Sequence, residues 1–272
     1  MKLFIDIGNR RVKWATSAQI NVSVSQPTDD PSALDKIISE QVINTHSSTL
    51  ADQLSMQFKK LPAPESVWVS CVAAESIKTD IAKICQVIWK LSPICIRAEA
   101  AAGGVENCYE NPASVGADRW AANIAARHVA GARALVVIDA GTAVTIDYVD
   151  SKGGFLGGLI FPGVATMIES LTSATGQIPA MTHSYSAKRT PRQTHYLNTD
   201  TRAAVENGVM LAVTAGIDRA IDYHLATKDS ELKVIITGGD AECIIGLSSH
   251  DMKHEPNLVL IGLLLLSQES AQ

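Results

Sequence analysis

Two phrases with the same order of residue types, far apart in the chain, constrain its fold more than any other feature. The first, LFIDIGNRRVKW, begins at Leu3, and the second, IDAGTAVTIDYVD, begins at Ile138. In each, an apolar strand ends at an aspartate, a glycine and a small polar residue follow, and a second strand begins. Glycine at this point lets the backbone turn tightly and approach a ligand closely. The repetition predicts two duplicated α/β domains that face each other across a cleft.

The residues at these two turns suit the binding of phosphate. Backbone amides at a glycine turn point outward and receive phosphate oxygens, and the side chains of Asn9 and Thr142 add donors. Asp6 and Asp139 are placed to hold a cation, or its water shell, against the phosphates. A single copy is equally compatible with an ordinary hairpin whose aspartate caps the turn. Two copies favour a polyphosphate that is held from both sides.

A third glycine-rich segment, VIITGGDAE, supports this interpretation. In it, a strand runs into Gly238 and Gly239, and a helix follows. The two glycines let a flat ring or a phosphate approach the backbone, and the helix offers its positive N-terminus. Taken alone, the double glycine is a weak indication, since many strand-to-helix connections carry one.

Strand and helix patterns alternate over the rest of the chain, which places the fold in the α/β class. The pattern that begins at residue 201 is compatible with one long helix or two. The final apolar run, LVLIGLLLL, is too short to span a bilayer and predicts a buried helix. The predicted domains are 1–115 and 116–272, and the final helix is able to return to the first domain. Beyond the hairpins, the predicted strands are 66–72, 93–98 and 233–237, and the other predicted helices are 33–43, 76–90, 117–131 and 164–172.

Composition excludes some functions and indicates a compartment. The net charge is −5 and there is no long basic run, which argues against a dedicated nucleic-acid-binding protein. The chain also lacks a membrane-spanning segment. The five cysteines form no C-x-x-C pair, and the N-terminus lacks the pattern of a secretion signal. Reduced thiols in the cytoplasm are therefore expected.

Histidines and one basic cluster offer few further candidates. His250 and His254 have the spacing of two metal ligands on a helix, but no third ligand is in sight, and we expect polar surface residues. His183, His195 and the basic segment 187–192 fall in a long polar stretch and are expected to be solvated.

Five phrases in a fixed order carry a closer resemblance: DIGNRRVKW, NPASVGADRW, DAGTAVTID, GGLIFPG and TRAAVENG. Aspartate–glycine hairpins in both halves and a late glycine pair resemble the actin, hexokinase and sugar-kinase superfamily. Together, the five phrases resemble type III pantothenate kinases over nearly the whole chain. This resemblance implies two duplicated ribonuclease H-like domains of the actin/hexokinase type. It also implies ATP-dependent phosphorylation of pantothenate to 4′-phosphopantothenate, the first step of coenzyme A biosynthesis.

The resemblance further implies partners and residue roles. It implies ATP with Mg²⁺, a monovalent cation (K⁺ or NH₄⁺), and a homodimer whose interface shares the active sites. Asp118 matches the general base, and Arg119 the group that binds the pantothenate carboxylate or a phosphate. Asp139 matches the monovalent-cation position, and Thr201 a threonine that reaches pantothenate from the partner subunit. The phosphate positions are Asp6, Gly8, Asn9, Lys13, Thr142, Gly238 and Gly239, and the remaining substrate positions are Tyr109, Gly116 and Ala117.

Several of these roles have simpler structural alternatives. Lys13 is equally compatible with a solvated strand lysine. Asp118 is compatible with a charge that favours a helix N-terminus, and Arg119 with a surface ion pair. Arg10 departs from the family, which usually has serine or threonine after the asparagine of the first hairpin. This departure leaves open a non-catalytic regulatory protein of the Bvg accessory factor type. A different small-molecule kinase or a phosphatase on the same scaffold also stays open.

Overall fold

The structure is a computed structural model and describes residues 1–20, 41–175, 178, 197–226 and 232–270. The chain packs as two compact units. Unit 1 comprises Met1–Val129 and Asn257–Gln272, and unit 2 comprises Ala130–Pro256. The domain limits inferred above, 1–115 and 116–272, stay a prediction.

Strands and helices alternate along the described residues. The strands are β1 (Lys2–Ile7), β2 (Arg11–Thr16), β3 (Val42–Asn44), β4 (Ser66–Cys71), β5 (Ile94–Cys95), β6 (Ala101–Ala102), β7 (Val105–Asn107), β8 (Leu135–Ala140), β9 (Ala143–Val149), β10 (Gly154–Pro162), β11 (Lys233–Thr237) and β12 (Lys253–His254). The α-helices are α1 (Leu50–Phe58), α2 (Glu75–Trp89), α3 (Ala117–Ala130), α4 (Val164–Ala174), α5 (Thr201–Ala226), α6 (Ala241–Ile245) and α7 (Leu258–Glu269), and a 3₁₀ turn spans Pro112–Ser114.

The sheet of unit 1 has the strand order β3-β2-β1-β4-β5. The central strand β1 is antiparallel to β2 and parallel to β4. Odd-numbered side chains of β1, such as Leu3, Ile5 and Ile7, join an apolar core with residues of α1 and α2. The opposite face of β1 and β4 packs against α7, the apolar C-terminal helix that the sequence predicts to be buried.

Unit 2 repeats this arrangement of strands. Its strands run in the order β12-β11-β8-β9-β10, and β8 is antiparallel to β9 and parallel to β11. Residues of α4, α5 and α6 cover one face of these strands through an apolar core that includes Ile138, Val144, Val213 and Ile236. Each unit therefore places its hairpin beside a parallel strand on the same side. This shared order confirms the predicted duplication and the ribonuclease H-like α/β class.

Several short elements were not predicted, and part of one predicted helix is wrong. Residues 33–40 of the predicted helix 33–43 lie outside the described residues, but Val42 and Ile43 belong to β3. The strands β6, β7 and β12 and the helix α1 gave no recognised signal. The long pattern that begins at residue 201 is a single helix, α5. Among the described helices, none combines the length and the apolar character needed to cross a membrane.

The close approach of α7 to α3 in unit 1 gives a test of the packing. A Cβ atom added at Gly262 lies 2.0 Å from the backbone oxygen of Ala121, so the two helices cannot keep their separation with any larger residue. We expect Gly262→Ala to lower the free energy of unfolding by about 1–3 kcal/mol in urea titrations. Gly208→Ala is the matched control, because nothing lies within 4 Å of its added Cβ. A gain of about 0.5–1 kcal/mol is expected for that control; equal losses in both variants would contradict the packing argument.

Candidate functional site

The first hairpin is held in shape by its own turn and by Thr45. The amide of Gly8 donates to the carbonyl of Arg11 at 3.0 Å, and a Cβ at Gly8 would lie 3.3 Å from the same oxygen. The buried Thr45 donates its hydroxyl to the carbonyl of Gly8 (3.1 Å) and its amide to the carbonyl of Arg10 (2.9 Å). Thr45 therefore fixes both ends of the turn, and nothing in the sequence marked it.

Side chains at the base of this hairpin share one face of the sheet. Asp6 stands opposite Lys13 on β2 and opposite Ser70 on β4. All three alternate with residues of the apolar core, so they lie on the other face of the sheet. Lys13 and Asp6 are half-buried, which disfavours a fully solvated Lys13, while Asn9 is exposed at the turn. The structure brings together the predicted residues Asp6, Gly8, Asn9 and Lys13.

The second hairpin is braced in a comparable way by the start of α4. The amide of Gly141 donates to the carbonyl of Ala143 at 3.0 Å. The carbonyl of Thr142 accepts two bonds, from the Gly163 amide (3.0 Å) and from the Thr166 hydroxyl (2.7 Å). A Cβ at Gly163 would lie 2.0 Å from the carbonyl oxygen of Gly141, so only glycine fits there. The last residue of the motif GGLIFPG is therefore glycine because the β8–β9 turn lies against it.

The glycine pair after β11 packs against the end of β8 in unit 2. Gly238 has φ +100°, and a Cβ there would lie 2.3 Å from the carbonyl oxygen of Ala140. The amide of Asp240 donates to that oxygen at 3.1 Å. Gly239 is exposed beside this contact. The end of β11 therefore lies against the end of β8, next to Asp139.

Asp118 lies in the first turn of α3, and its carboxylate is largely enclosed. Its Oδ1 accepts the amide of Arg119 at 2.7 Å. A Cβ at Gly116 would lie 2.6 Å from that oxygen, so glycine leaves room for the carboxylate. Burial raises the pKa of Asp118, and the bond from the Arg119 amide and the charge of Arg119 oppose this rise without cancelling it. A carboxylate with raised proton affinity suits a general base better than an ordinary surface aspartate.

Arg119 is a buried residue. Its side chain is 8% exposed, and its Nη2 donates to the hydroxyl of Tyr109 at 2.8 Å. The guanidinium carbon lies 5.6 Å from the centre of the Tyr109 ring. The amide of Tyr109 donates to Asn107 Oδ1 at 3.2 Å, which anchors the tyrosine to β7. Gly116, Ala117, Asp118, Arg119 and Tyr109 are therefore brought together in unit 1.

Thr201 belongs to unit 2. It is the exposed first residue of α5 and contributes to a cavity of about 770 Å³. The cavity is also lined by Met167, Ser170, Asp200 and Val205.

Single carboxylates are the groups at these turns that could hold a cation. Over the described ranges, no three His, Cys, Asp or Glu side chains cluster as metal ligands. Mg²⁺ in nucleotide sites keeps several waters and uses one or two carboxylates besides the phosphates, so it needs no such cluster. Asp6 and Asp139, each at the end of a strand beside a tight turn, fit this pattern.

Two of the remaining histidine and basic candidates, His250 and His254, lie in the described part of unit 2. His250 Nε2 lies 3.1 Å from Asp222 Oδ1, at a half-buried position on unit 2. His254, in β12, is also half-buried. His183, His195 and the segment 187–192 lie outside the described residues.

Comparisons with known proteins agree on one family. The family model for type III pantothenate kinase matches residues 2–223. A type III pantothenate kinase of Nitrosococcus oceani is 30% identical over 276 residues, which cover 100% of this chain and 96% of the relative. Another, of Herminiimonas arsenicoxydans, is 34% identical and covers 97% and 96%, respectively.

Solved structures with the same fold are more distant in sequence. A protein of Campylobacter jejuni described as a Baf family transcriptional activator aligns over 99% of this chain and 98% of its own, with TM-score 0.53 and 19% identity. A protein of Sinorhizobium meliloti described as a 2-dehydro-3-deoxygalactonokinase aligns over 99% of both chains, with TM-score 0.50 and 12% identity. At these identities, the likeness concerns the fold.

The enclosure of Asp118 predicts a pH-dependent stability difference. Because burial raises its pKa in the folded protein, ionised Asp118 destabilises the fold, and Asp118→Asn is expected to raise the free energy of unfolding at neutral pH. The carboxylate takes up its proton as the pH falls through the raised folded-state pKa. The gain should therefore shrink over that range and vanish below the ordinary value of 3.8.

Urea titrations of both proteins from neutral to acid pH measure this difference. The exposed Asp251→Asn serves as control and should show no such gain. A gain that grows toward acid pH would contradict the burial argument.

Proposed function

The chain belongs to the type III pantothenate kinase family, and from this membership we propose which of its residues perform the reaction. The enzyme transfers the γ-phosphoryl group of ATP to pantothenate, with a divalent cation, and forms 4′-phosphopantothenate for coenzyme A biosynthesis. Phosphoryl transfer asks three things of a protein: alignment of the acceptor hydroxyl, stabilisation of phosphate charge, and a base at the acceptor.

Asp118 is the base in this proposal, and its environment is the observation that carries it. The pantothenate hydroxyl attacks the γ-phosphorus of ATP, its proton passes to an oxygen of Asp118, and ADP leaves. A general base is most effective when its pKa lies near the operating pH, and burial raises the pKa of Asp118 in that direction. The Arg119 amide on Oδ1 holds the carboxylate in one orientation and leaves Oδ2 for the substrate.

Arg119 and Tyr109 bind the pantothenate carboxylate or a phosphate. The Tyr109 hydroxyl holds the guanidinium in place, and a buried guanidinium attracts an anion more strongly than a solvated one. Gly116 and Ala117 complete this surface, and the glycine leaves space for the carboxylate of the base.

The two hairpins and the glycine pair bind the polyphosphate of ATP. The turns at Gly8 and Gly141 place tightly fixed backbone beside Asn9 and Thr142, and Lys13 adds a positive charge next to Asp6. Gly238 and Gly239 allow the nucleotide to approach the end of β11. In this proposal, Asp6 binds the divalent ion through its water shell. Asp139 binds a monovalent cation, K⁺ or NH₄⁺, which supplies positive charge near the phosphates.

The active enzyme is a homodimer in the cytoplasm, and an apolar surface on unit 2 supports the dimer. Leu156, Leu159 and Ile160 on β10 are 53–61% exposed, and Tyr223 on α5 is 64% exposed. Leu156, Leu159 and Tyr223 line one cavity of about 500 Å³. Ile160 follows Leu159 on β10 but does not line it. Contiguous exposed apolar groups of this kind mark interaction surfaces. The five cysteines are free thiols, in keeping with a reducing compartment.

The regulatory alternative raised by Arg10 is not favoured. Relatives that align along the full chain carry the kinase name, and the braced turn around Arg10 keeps the shape of a phosphate hairpin. Arg10 is half-buried in this turn, where its charge adds to that of Lys13.

The proposed base leads to a kinetic prediction. Asp118→Asn is expected to lower kcat about 10²–10⁴-fold, because general-base catalysis supplies a factor of that size. The KM for ATP should stay close to that of the unaltered protein, since Asp118 faces the acceptor. Coupled ADP release, measured in K⁺ and then in Na⁺ with far-UV circular dichroism as the folding control, tests both the base and the cation. Full activity of the variant would refute the assignment, and equal rates in both salts would refute the monovalent site.

The shared active site can be tested by mixing two inactive proteins. If Thr201 reaches the active site of the partner subunit, Asp118→Asn and Thr201→Ala protomers combine into a dimer with one intact site. Exchange of subunits should then restore activity to about a quarter of the original, the fraction expected for random pairing in a two-fold dimer. Mixed Asp118→Asn and Arg119→Ala protomers are the control and should stay inactive, because both residues belong to one subunit's site. No recovery in the first mixture would place Thr201 in the site of its own chain.

A further inference from the structure

We propose that Ser70 and Thr237 are positioning residues that hold the Asp6 and Asp139 carboxylates by hydrogen bonds when ATP and its cations bind. The inference rests on the proposed function, which gives these aspartates their cation roles. It comes from a feature that both units share outside their hairpin motifs, a hydroxyl residue opposite the aspartate on the neighbouring parallel strand.

In unit 1, the parallel pairing of β1 with β4 sets Asp6 directly opposite Ser70. Their neighbours Ile5, Ile7, Val69 and Cys71 all point into the core beneath α1 and α2. Asp6 and Ser70 must therefore project from the same face, about 5 Å apart at the strand spacing of a sheet. A serine hydroxyl and an aspartate carboxylate reach each other across that spacing by rotation about χ1.

Unit 2 has the same arrangement. The parallel pairing of β8 with β11 sets Asp139 opposite Thr237, and their neighbours Ile138 and Ile236 belong to the core of that unit. Thr237 is 3% exposed. The contact of Gly238 with Ala140 and the bond from the Asp240 amide fix this register at the strand ends. Each unit thus presents a buried hydroxyl on the parallel strand beside its hairpin aspartate.

The state of the Ser70 hydroxyl points to a role in the loaded enzyme. Ser70 is 0% exposed, and its Oγ makes no hydrogen bond within the part of the chain that the structure describes. A buried hydroxyl without a partner destabilises a protein, and an alanine would remove that penalty. Such a group therefore calls for an explanation. A donor to Asp6 supplies one: it would orient the carboxylate beside a divalent ion.

Matched substitutions separate the hydroxyl from the volume of the side chain. Thr237→Val keeps the shape and removes the donor, whereas Thr237→Ser keeps the donor and removes a methyl group. We expect Thr237→Val to weaken the binding of MgADP, measured by calorimetry in K⁺, about tenfold or more, the effect of losing a hydrogen bond to a charged group. Thr237→Ser should bind MgADP within about twofold of the unaltered protein.

A double-mutant cycle tests the pair in unit 1. Ser70→Ala should weaken MgADP binding about tenfold and raise the Mg²⁺ concentration needed for half-maximal binding. In an Asp6→Asn background, the same change should have little further effect, because the acceptor charge is gone. The KM for pantothenate, measured separately, should be unchanged in the single Ser70 variant.

Three results would overturn the proposal. These are equal weakening by Thr237→Val and Thr237→Ser, additive effects of Ser70→Ala and Asp6→Asn, and unaltered MgADP binding in both hydroxyl variants. Thermal unfolding of each variant monitors the fold, and the Thr237 pair decides the question if Ser70→Ala does not fold. Since MgADP binding needs no transfer step, a protein that binds MgADP but leaves pantothenate unphosphorylated refutes the proposed function separately.

Discussion

The close packing of three backbone segments at the end of the second sheet is the constraint on which unit 2 depends. The β8–β9 turn, the first residue before α4 and the end of β11 meet at distances that admit only glycine at Gly163 and Gly238. Carbonyl oxygens fill the space that side chains would occupy at Gly163 and Gly238. None of the three segments can therefore move without the other two. The position of Thr142 and the register of Asp139 are consequences of this packing.

The two units share a strand order and differ in how each supports its aspartate. In unit 1, the strand opposite Asp6 across the hairpin carries Lys13, and Thr45 from β3's end braces the turn. In unit 2, the equivalent position opposite Asp139 is Thr145, and the brace comes from α4. Duplication therefore preserved the backbone frame while the charge beside each carboxylate diverged. The residue opposite Asp6 is thus cationic, whereas the residue opposite Asp139 is neutral.

Much of this fold and site could be predicted from the sequence, because long periodic segments and glycine turns carry their own signals. Local sequence patterns predict the hairpins, α2, α3 and the buried α7. The strands β3, β6 and β12 are only two or three residues long, and they form because they pair with neighbouring strands. Motif resemblance indicated Asp118 and Arg119. It could not show that Arg119 is buried against Tyr109, nor find Thr45, whose bonds join segments distant in sequence.

The partial burial of Asp118 gives Arg119, its neighbour in sequence, an electrostatic role. A buried carboxylate gains proton affinity, and an isolated one would be expensive to keep charged. The Arg119 amide and its guanidinium limit that rise, so the carboxylate stays available as an acceptor. Placing both residues in the first turn of α3 couples them through a single backbone bond. Asp118 and Arg119 therefore move together, and in the proposed reaction any shift of the helix start alters proton transfer and substrate alignment at once.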